Sequence, residues 1–331
     1  MIINNFDRGQ PTARIITDQT QSGTPVQDYF FLVTGLVFAA GGGDLFVRGA
    51  ISLAQHARVS GAVIGVTIAA FATSSPEFTV AVTSAIQRTP QISFGDALGS
   101  NVVNIALILG LALLASPIMA ARNSIRRDFP LAITVPALTA LAVVDGTLAR
   151  PDAALLMIIF AFWLVSTVVT ARRNRVDAVT TAKMLRAPQA LAIGGAGLLL
   201  LIVAGELIVS GARGIAMDFG ISDFVIGATI VAVGTSVPEL ATVLIAKWRG
   251  HDDIGLGTLL GSNIFNNLWI VPVAALIHPI EVELEQAGTA LAFSILALLV
   301  AFPPGSGIMG RDRGVVLLLI YGVYVAMVLL T

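Results

Sequence analysis

Cysteine is absent from the 331 residues, which excludes disulfides, thiolate metal centres and cysteine nucleophiles. Charge is scarce too: Asp, Glu, Lys and Arg make up 12% of the chain, about half the usual share of a soluble domain. The three histidines, His56, His251 and His278, do not cluster and read as surface residues in or near loops. The N-terminus lacks the basic start and apolar run of a secretory signal. Residues 1–27 are polar, carry Pro11 and Pro25, and read as a short flexible tail.

Hydrophobic residues fill the gap, at 56% of the chain and a mean hydropathy of +0.88. Apolar runs of roughly 20 residues recur, each long enough to cross a hydrocarbon core of about 30 Å as a helix. The fold expected is an all-α membrane protein. Glycines, prolines and charge clusters mark ten candidate spans near 28–54, 61–87, 93–116, 128–146, 151–171, 189–213, 222–248, 254–276, 286–303 and 312–330.

The chain also repeats itself 162 residues on. Val63–Glu77 reads VIGVTIAAFATSSPE and Val225–Glu239 reads VIGATIVAVGTSVPE, with ten of the fifteen positions identical. Leu98–Asn101 returns as Leu260–Asn263, and Asn104 as Asn266, without a gap. Ten spans divided by this offset give five per half, 28–171 and 189–331. An odd number flips the second half, so inverted repeats are expected, with a binding site near the midplane where they meet. The 19 Lys and Arg agree. With the N-terminus outside, 13 fall in inside loops and 5 in outside loops, and Arg48 lies within the first span. Both termini are therefore expected outside the cell. The basic linker, 172–188, reads as a solvated cytoplasmic loop and not as a nucleic-acid site.

Carboxylates within the spans are few, and Glu77 and Glu239 occupy equivalent positions. Inserting each costs at least ~2.5 kcal/mol, so two in register point to function. Each follows a Thr at i−4 and a Ser at i−3, namely Thr73 and Ser74, and Thr235 and Ser236, on one helical face. Pro76 and Pro238 remove a backbone donor beside them and free carbonyls for a ligand. Ser100 and Asn104, repeated as Ser262 and Asn266, form a second polar pair four residues apart. Each of these four equally suits plain hydrogen bonding between helices. Asn101 and Asn263 are expected to serve helix packing. Asp44 and Glu206 read as charges near helix ends. The assembled ligands are oxygen alone, which suits Ca²⁺ or Na⁺ and disfavours zinc or copper.

At these motifs the chain resembles the cation/calcium exchanger superfamily, most closely the prokaryotic sodium/calcium exchangers. Their two inverted repeats carry GTS-x-PE followed by GSN. Here these appear as ATSSPE (72–77) with GSNVVN (99–104), and GTSVPE (234–239) with GSNIFN (261–266). The resemblance implies ten helices whose second, third, seventh and eighth form the ion-binding core. It implies Ca²⁺ between Glu77, Glu239, Thr73 and Thr235. Sodium sites would add Ser74, Ser236, Ser100, Ser262 and the carbonyls of Ala70 and Ala232. The first and sixth helices would slide across the core to alternate access. Asn266 stands where some members carry Asp, which favours K⁺-independent exchange and leaves two formal negatives at the centre.

The expected function is a secondary antiporter that extrudes Ca²⁺ with the Na⁺ gradient from the cell (inner) membrane. Transport should be electrogenic, with no cofactor and a monomer as the working unit in the bilayer. A proton-coupled cation antiporter of the same fold is the alternative. A passive channel is a third reading. An enzyme is disfavoured, because no nucleophile motif or phosphate loop accompanies the glutamates.

Overall fold

The computed structural model describes residues 25–56, 70–120, 124–173, 185–248 and 252–330. Almost all of them are helical. Among these residues, seven helices are long and apolar enough to cross a membrane, so the chain is a multi-pass membrane protein.

The first helix, α1 (Pro25–His56), starts earlier than the expected tail boundary at residue 27. Pro25 supplies a φ already suited to a helix's first turn, and Asp28 complements the N-terminal dipole. Beyond the undescribed 57–69, a short α2 (Ala70–Thr73) leads through a turn at Ser74 into α3 (Ser75–Ile86). Next comes α4 (Pro90–Val102), which passes through a π-helical segment, Val103–Leu109, into α5 (Gly110–Ala115). A two-residue β1 (Ile118–Met119), α6 (Phe129–Ala142), β2 (Thr147–Leu148) and α7 (Arg150–Arg173) complete the first half.

The second half repeats this order. It opens with α8 (Ala187–Phe219), followed by α9 (Asp223–Ile226), a π segment Gly227–Val231 and α10 (Ala232–Thr235). A turn at Ser236 leads into α11 (Val237–Trp248), then α12 (Asp252–Phe265). A π segment, Asn266–Ile270, continues as α13 (Val271–Ile277). The chain ends with β3 (Ile280–Glu281), α14 (Leu284–Ala301), β4 (Ile308–Met309) and α15 (Arg311–Val328). The expected linker is shorter than 172–188 on both sides, because α7 continues through Arg173 and α8 begins at Ala187. Pro188 favours that early start. The middle of the linker lies outside the described residues.

Two long helices stand apart in character. At 32 and 33 residues, α1 and α8 each run to about 48 Å, well beyond an apolar slab of about 30 Å, and so tilt within it or extend past it. Small residues seven apart line their contact: Gly35, Gly42 and Gly49 on one, and Ala190, Gly197, Ala204 and Gly211 on the other. A Cβ on Gly49 would sit 2.5 Å from the Gly194 Cα, and one on Gly197 2.4 Å from the Phe46 amide nitrogen. Gly35 faces Ala204 and Ile208, whereas Gly49 faces Ala190 and Gly194, so the two helices run antiparallel.

Asp44 and Glu206 lie well inside these helices and not near their ends as expected; α8 runs past its expected limit to Phe219, whereas Asp44 was already interior to the expected first span. Asp44 pairs with Arg48 at 2.8 Å on an exposed face, and Glu206 accepts from Gln87 Nε2 at 2.7 Å.

Contacts between the halves are reciprocal. Strand β1 pairs with β4, and β3, the equivalent of β1, pairs with β2. Arg150 donates to the last carbonyls of α13, at Leu276 and Ile277, while Arg311 donates to Ala115 at the end of α5. Both guanidiniums meet the negative end of a helix dipole. The core lies between these clamps, around α4, α5, α12 and α13.

Candidate cation-binding site

The duplicated motif breaks its helix in both halves for one reason. Pro76 and Pro238 have no amide hydrogen and crowd the carbonyl four residues back, so the helix turns at Ser74 and Ser236 before resuming. Ser74 has φ −86° and ψ 14°, and Ser236 has φ −82° and ψ 6°, nearly the same local conformation. The π segments add a second irregularity. Asn104 lies in one and its equivalent Asn266 opens another, while Gly227–Val231 runs directly into Ala232. Such bulges shift the hydrogen-bond ladder and occur often at functional sites.

Close backbone approach brings these breaks together. A Cβ on Gly95 would lie 2.2 Å from the Phe224 carbonyl oxygen, and one on Gly99 2.5 Å from that of Ala228. Helix α4 therefore presses against the π segment of the other half with no side chains between. Tyr324 of α15 donates to the Ala228 carbonyl at 3.1 Å and pins that segment from behind.

The expected residues converge. Ser262 Oγ donates to Glu239 Oε1 at 3.0 Å, with Ser74 Oγ 3.0 Å from Ser262 Oγ and 3.3 Å from Glu239 Oε1. Thr73 also bonds Glu239. Across the site, Ser236 lies beside Glu77, and Glu239 is near enough to Glu77 for the two charges to repel. Ser100 Oγ reaches the Ala232 carbonyl at 3.4 Å. Ala70 is the first residue of α2, next to the undescribed stretch. Glu77 and Glu239 are 1% and 0% exposed.

Asparagines join the halves beneath the motif. Asn104 Nδ2 donates to Asn263 Oδ1 at 3.0 Å, and Asn266 Nδ2 to Asn101 Oδ1 at 3.1 Å. Each motif asparagine thus bonds the partner of its own equivalent, and Asn101 and Asn263 do the packing work expected of them.

One member was not expected. Asp96, 1% exposed on α4, accepts from Thr235 Oγ1 at 2.9 Å and from Ser100 Oγ at 3.4 Å. Glu77 and Glu239 both lie within its electrostatic reach. The site therefore holds three carboxylates, not two. A signal existed in the sequence: Asp96 precedes Ser100 by one helical turn inside a candidate span. Its equivalent is Thr258, so a search for duplicated charges passes over it.

This arrangement is short of positive charge. Among the described residues, no Lys, Arg or His pairs with the three carboxylates, and no three acidic or histidine side chains converge on one point. Glu77 Oε2, Glu239 Oε2, Asn104 Oδ1, Asn266 Oδ1 and Ser236 Oγ are buried without a hydrogen-bond partner of sound geometry. Buried carboxylates and orphaned oxygens in this number are costly unless a cation satisfies them. A hard cation fits that need, because every available ligand is oxygen.

A duplicated helical membrane protein with a buried oxygen-lined site at its centre is thus the class that fold and site define. The chain belongs to the family described as sodium/calcium exchanger protein, whose sequence pattern matches residues 28–169 and 190–330. Members of that family are membrane transporters, not enzymes. The CaxA protein of Alkalimonas amylolytica is 40% identical over 78% of this chain and 83% of its own length. Sodium/calcium exchanger MaX1 of Methanosarcina acetivorans is 29% identical over 89% of this chain and 96% of its own. Among solved structures, the sodium-calcium exchanger NCX_Mj soaked with Na⁺ and Sr²⁺ superposes with a TM-score of 0.65 and 31% identity. That match covers 91% of this chain and 98% of the other.

Proposed function

We propose that this chain is a secondary antiporter that exchanges Na⁺ for Ca²⁺ and uses the inward Na⁺ gradient to extrude Ca²⁺. The observation that carries this reading is the pair of duplicated oxygen half-sites, with Glu77 and Glu239 facing each other and their outer oxygens unpaired. One Ca²⁺ balances the two glutamates, with Thr73 and Thr235 as further ligands. Sodium ions take Ser74, Ser236, Ser100, Ser262 and the carbonyls of Ala70 and Ala232. The Asn104 and Asn266 oxygens border the centre. Competition for shared oxygens couples the two ions with no chemical step. Several Na⁺ against one Ca²⁺ moves net charge, so transport is electrogenic. Asn266, neutral at the last core position, favours K⁺-independent exchange. The hydroxyl cage favours Na⁺ over H⁺ as the coupling ion, because a proton needs no shell of six oxygens.

Ten spans in two inverted halves of five suit this function. Two observations support the inversion. Equivalent helices α1 and α8 run antiparallel. Strand β3 pairs with β2, one crossing of α6 away from β1, so equivalent strands fall on opposite faces. The glycine-lined pair α1 and α8 slides as a unit across the core to alternate access. The protein works as a monomer in the cell (inner) membrane, with both termini outside and the basic linker in the cytoplasm. It needs no cofactor and contacts no nucleic acid.

Radioactive calcium uptake into sodium-loaded proteoliposomes diluted into sodium-free buffer tests the coupling. Uptake that requires internal Na⁺ and ignores a pH gradient is the expected result. Uptake driven by a proton gradient alone would assign the chain to the H⁺-coupled branch instead.

A further inference from the structure

The two half-sites are not equal, and the inequality centres on Asp96. Helix α4 brings its carboxylate to the break in the opposite half, where Gly227 lets the Asp96 backbone approach closely. A Cβ on Gly227 would stand 2.4 Å from the Ile92 carbonyl oxygen and 3.0 Å from the Asp96 amide nitrogen.

Around that carboxylate, oxygens outnumber protons. Thr235 Oγ1 is 2.9 Å from Asp96 Oδ1, 3.1 Å from the Val231 carbonyl and 3.4 Å from that of Ala232. Ser100 Oγ stands 3.4 Å from both Asp96 Oδ1 and the Ala232 carbonyl, at the outer limit of a hydrogen bond. Two hydroxyl protons thus serve a carboxylate and two carbonyls. A purely structural aspartate would be expected to gather donors, since an ionised carboxylate offers about four acceptor positions. Just across the site, Glu77 Oε2 is buried and unpaired.

We propose that Asp96 is a further ligand of the sodium seat at Ser100, Thr235 and the Ala232 carbonyl, which shares Thr235 with the glutamate site and, through Asp96, is charged on this side only. The inference rests on the exchanger reading above. One carboxylate with neutral oxygens suits an ion of the Na⁺ class. Calcium takes six to eight oxygens and draws on several carboxylates, so it belongs between the glutamates. At the equivalent place in the other half stands Thr258, which brings no charge. Asp96 therefore sets the number and the order of the sodium ions more than it sets calcium affinity.

The test is Na⁺ binding and Na⁺-driven flux in Asp96→Asn beside wild type. A second variant, Asp96→Thr, installs the residue type that the equivalent position already carries. Both variants should raise the Na⁺ concentration for half-maximal exchange by about tenfold or more, the scale on which changes around a bound ion act. Half-saturation for Ca²⁺ should move much less, and the Na⁺ dependence should become shallower. Sodium-specific thermal stabilisation of the purified protein over K⁺ should shrink or vanish in both variants. If either folded variant keeps wild-type Na⁺ steepness and stabilisation, Asp96 is no cation ligand. An equal loss of Na⁺ and Ca²⁺ affinity would also overturn the proposal, by placing Asp96 in the calcium site. A wild type without any Na⁺-coupled calcium flux would instead defeat the exchanger reading itself.

Discussion

The two halves carry nearly the same polar motif, yet their residues stand in unlike surroundings. In the first, Ser74 lies within hydrogen-bonding distance of both Ser262 and Glu239; in the second, its equivalent Ser236 turns to Glu77. Thr73 turns to Glu239, whereas Thr235 turns to Asp96. The long helices differ in the same sense. Leu36 of α1 covers the motif glycine Gly234, whose Cβ would fall 2.2 Å from a Leu36 methyl, while the equivalent Leu198 on α8 is 48% exposed. Sequence symmetry thus coexists with structural asymmetry. That is what alternating access requires, since two equivalent half-sites must take turns at being closed.

The largest effect expected concerns the pair that should behave alike. Glu77→Gln and Glu239→Gln should each reduce Ca²⁺ exchange to background, because each removes half the charge of the glutamate pair that holds calcium. Retained exchange in either one would show that the glutamates are not a functional pair.

A smaller but clear effect is expected at the helix contact. Gly197→Val would press on the Phe46 backbone and on the Gly42 carbonyl, 2.6 Å from the new Cβ, neither of which yields easily. Overpacking of this kind costs about 1–3 kcal/mol. Transport should fall severalfold while Na⁺ binding to the purified protein persists. Gly195→Val, whose Cβ meets nothing within 4 Å, is the control and should be silent.

The smallest effect separates two equivalent asparagines. The Asn263 side chain makes two bonds, accepting from Asn104 and donating to the Asn101 carbonyl at 3.1 Å. The Asn101 side chain accepts one, from Asn266, and its own amide nitrogen is unpaired. Interhelical bonds in membranes contribute about 0.6 kcal/mol each on average. Asn263→Ala should therefore lower the thermal midpoint more than Asn101→Ala does. Equal shifts would mean that the ladder is symmetric in solution.

Much of this architecture could be read from residue patterns. The spans followed from apolar runs and their punctuation, and most observed helix limits fall within a few residues of them. Glu77, Glu239 and their Thr and Ser neighbours stood out because repetition marks what a chain keeps in both halves. The same criterion missed Asp96, since its equivalent is a threonine and it reaches the site through a contact between halves. Tyr324 was equally hidden: nothing local to α15 shows that its hydroxyl meets a carbonyl in a π segment far away in sequence. Asp44 and Glu206 were misplaced for a different reason. For Glu206 the helix runs on past its apolar stretch to Phe219, and for Asp44 a charge inside a long helix was read as the mark of its end.

The central claim is that calcium and sodium compete for one buried set of oxygens around Glu77 and Glu239. Calcium binding to the purified protein, titrated with NaCl against matched KCl, tests it most directly. The account predicts calcium binding that Na⁺ displaces cooperatively and K⁺ does not, and that Glu77→Gln and Glu239→Gln both abolish. Calcium binding indifferent to Na⁺, or unchanged in either variant, would contradict it.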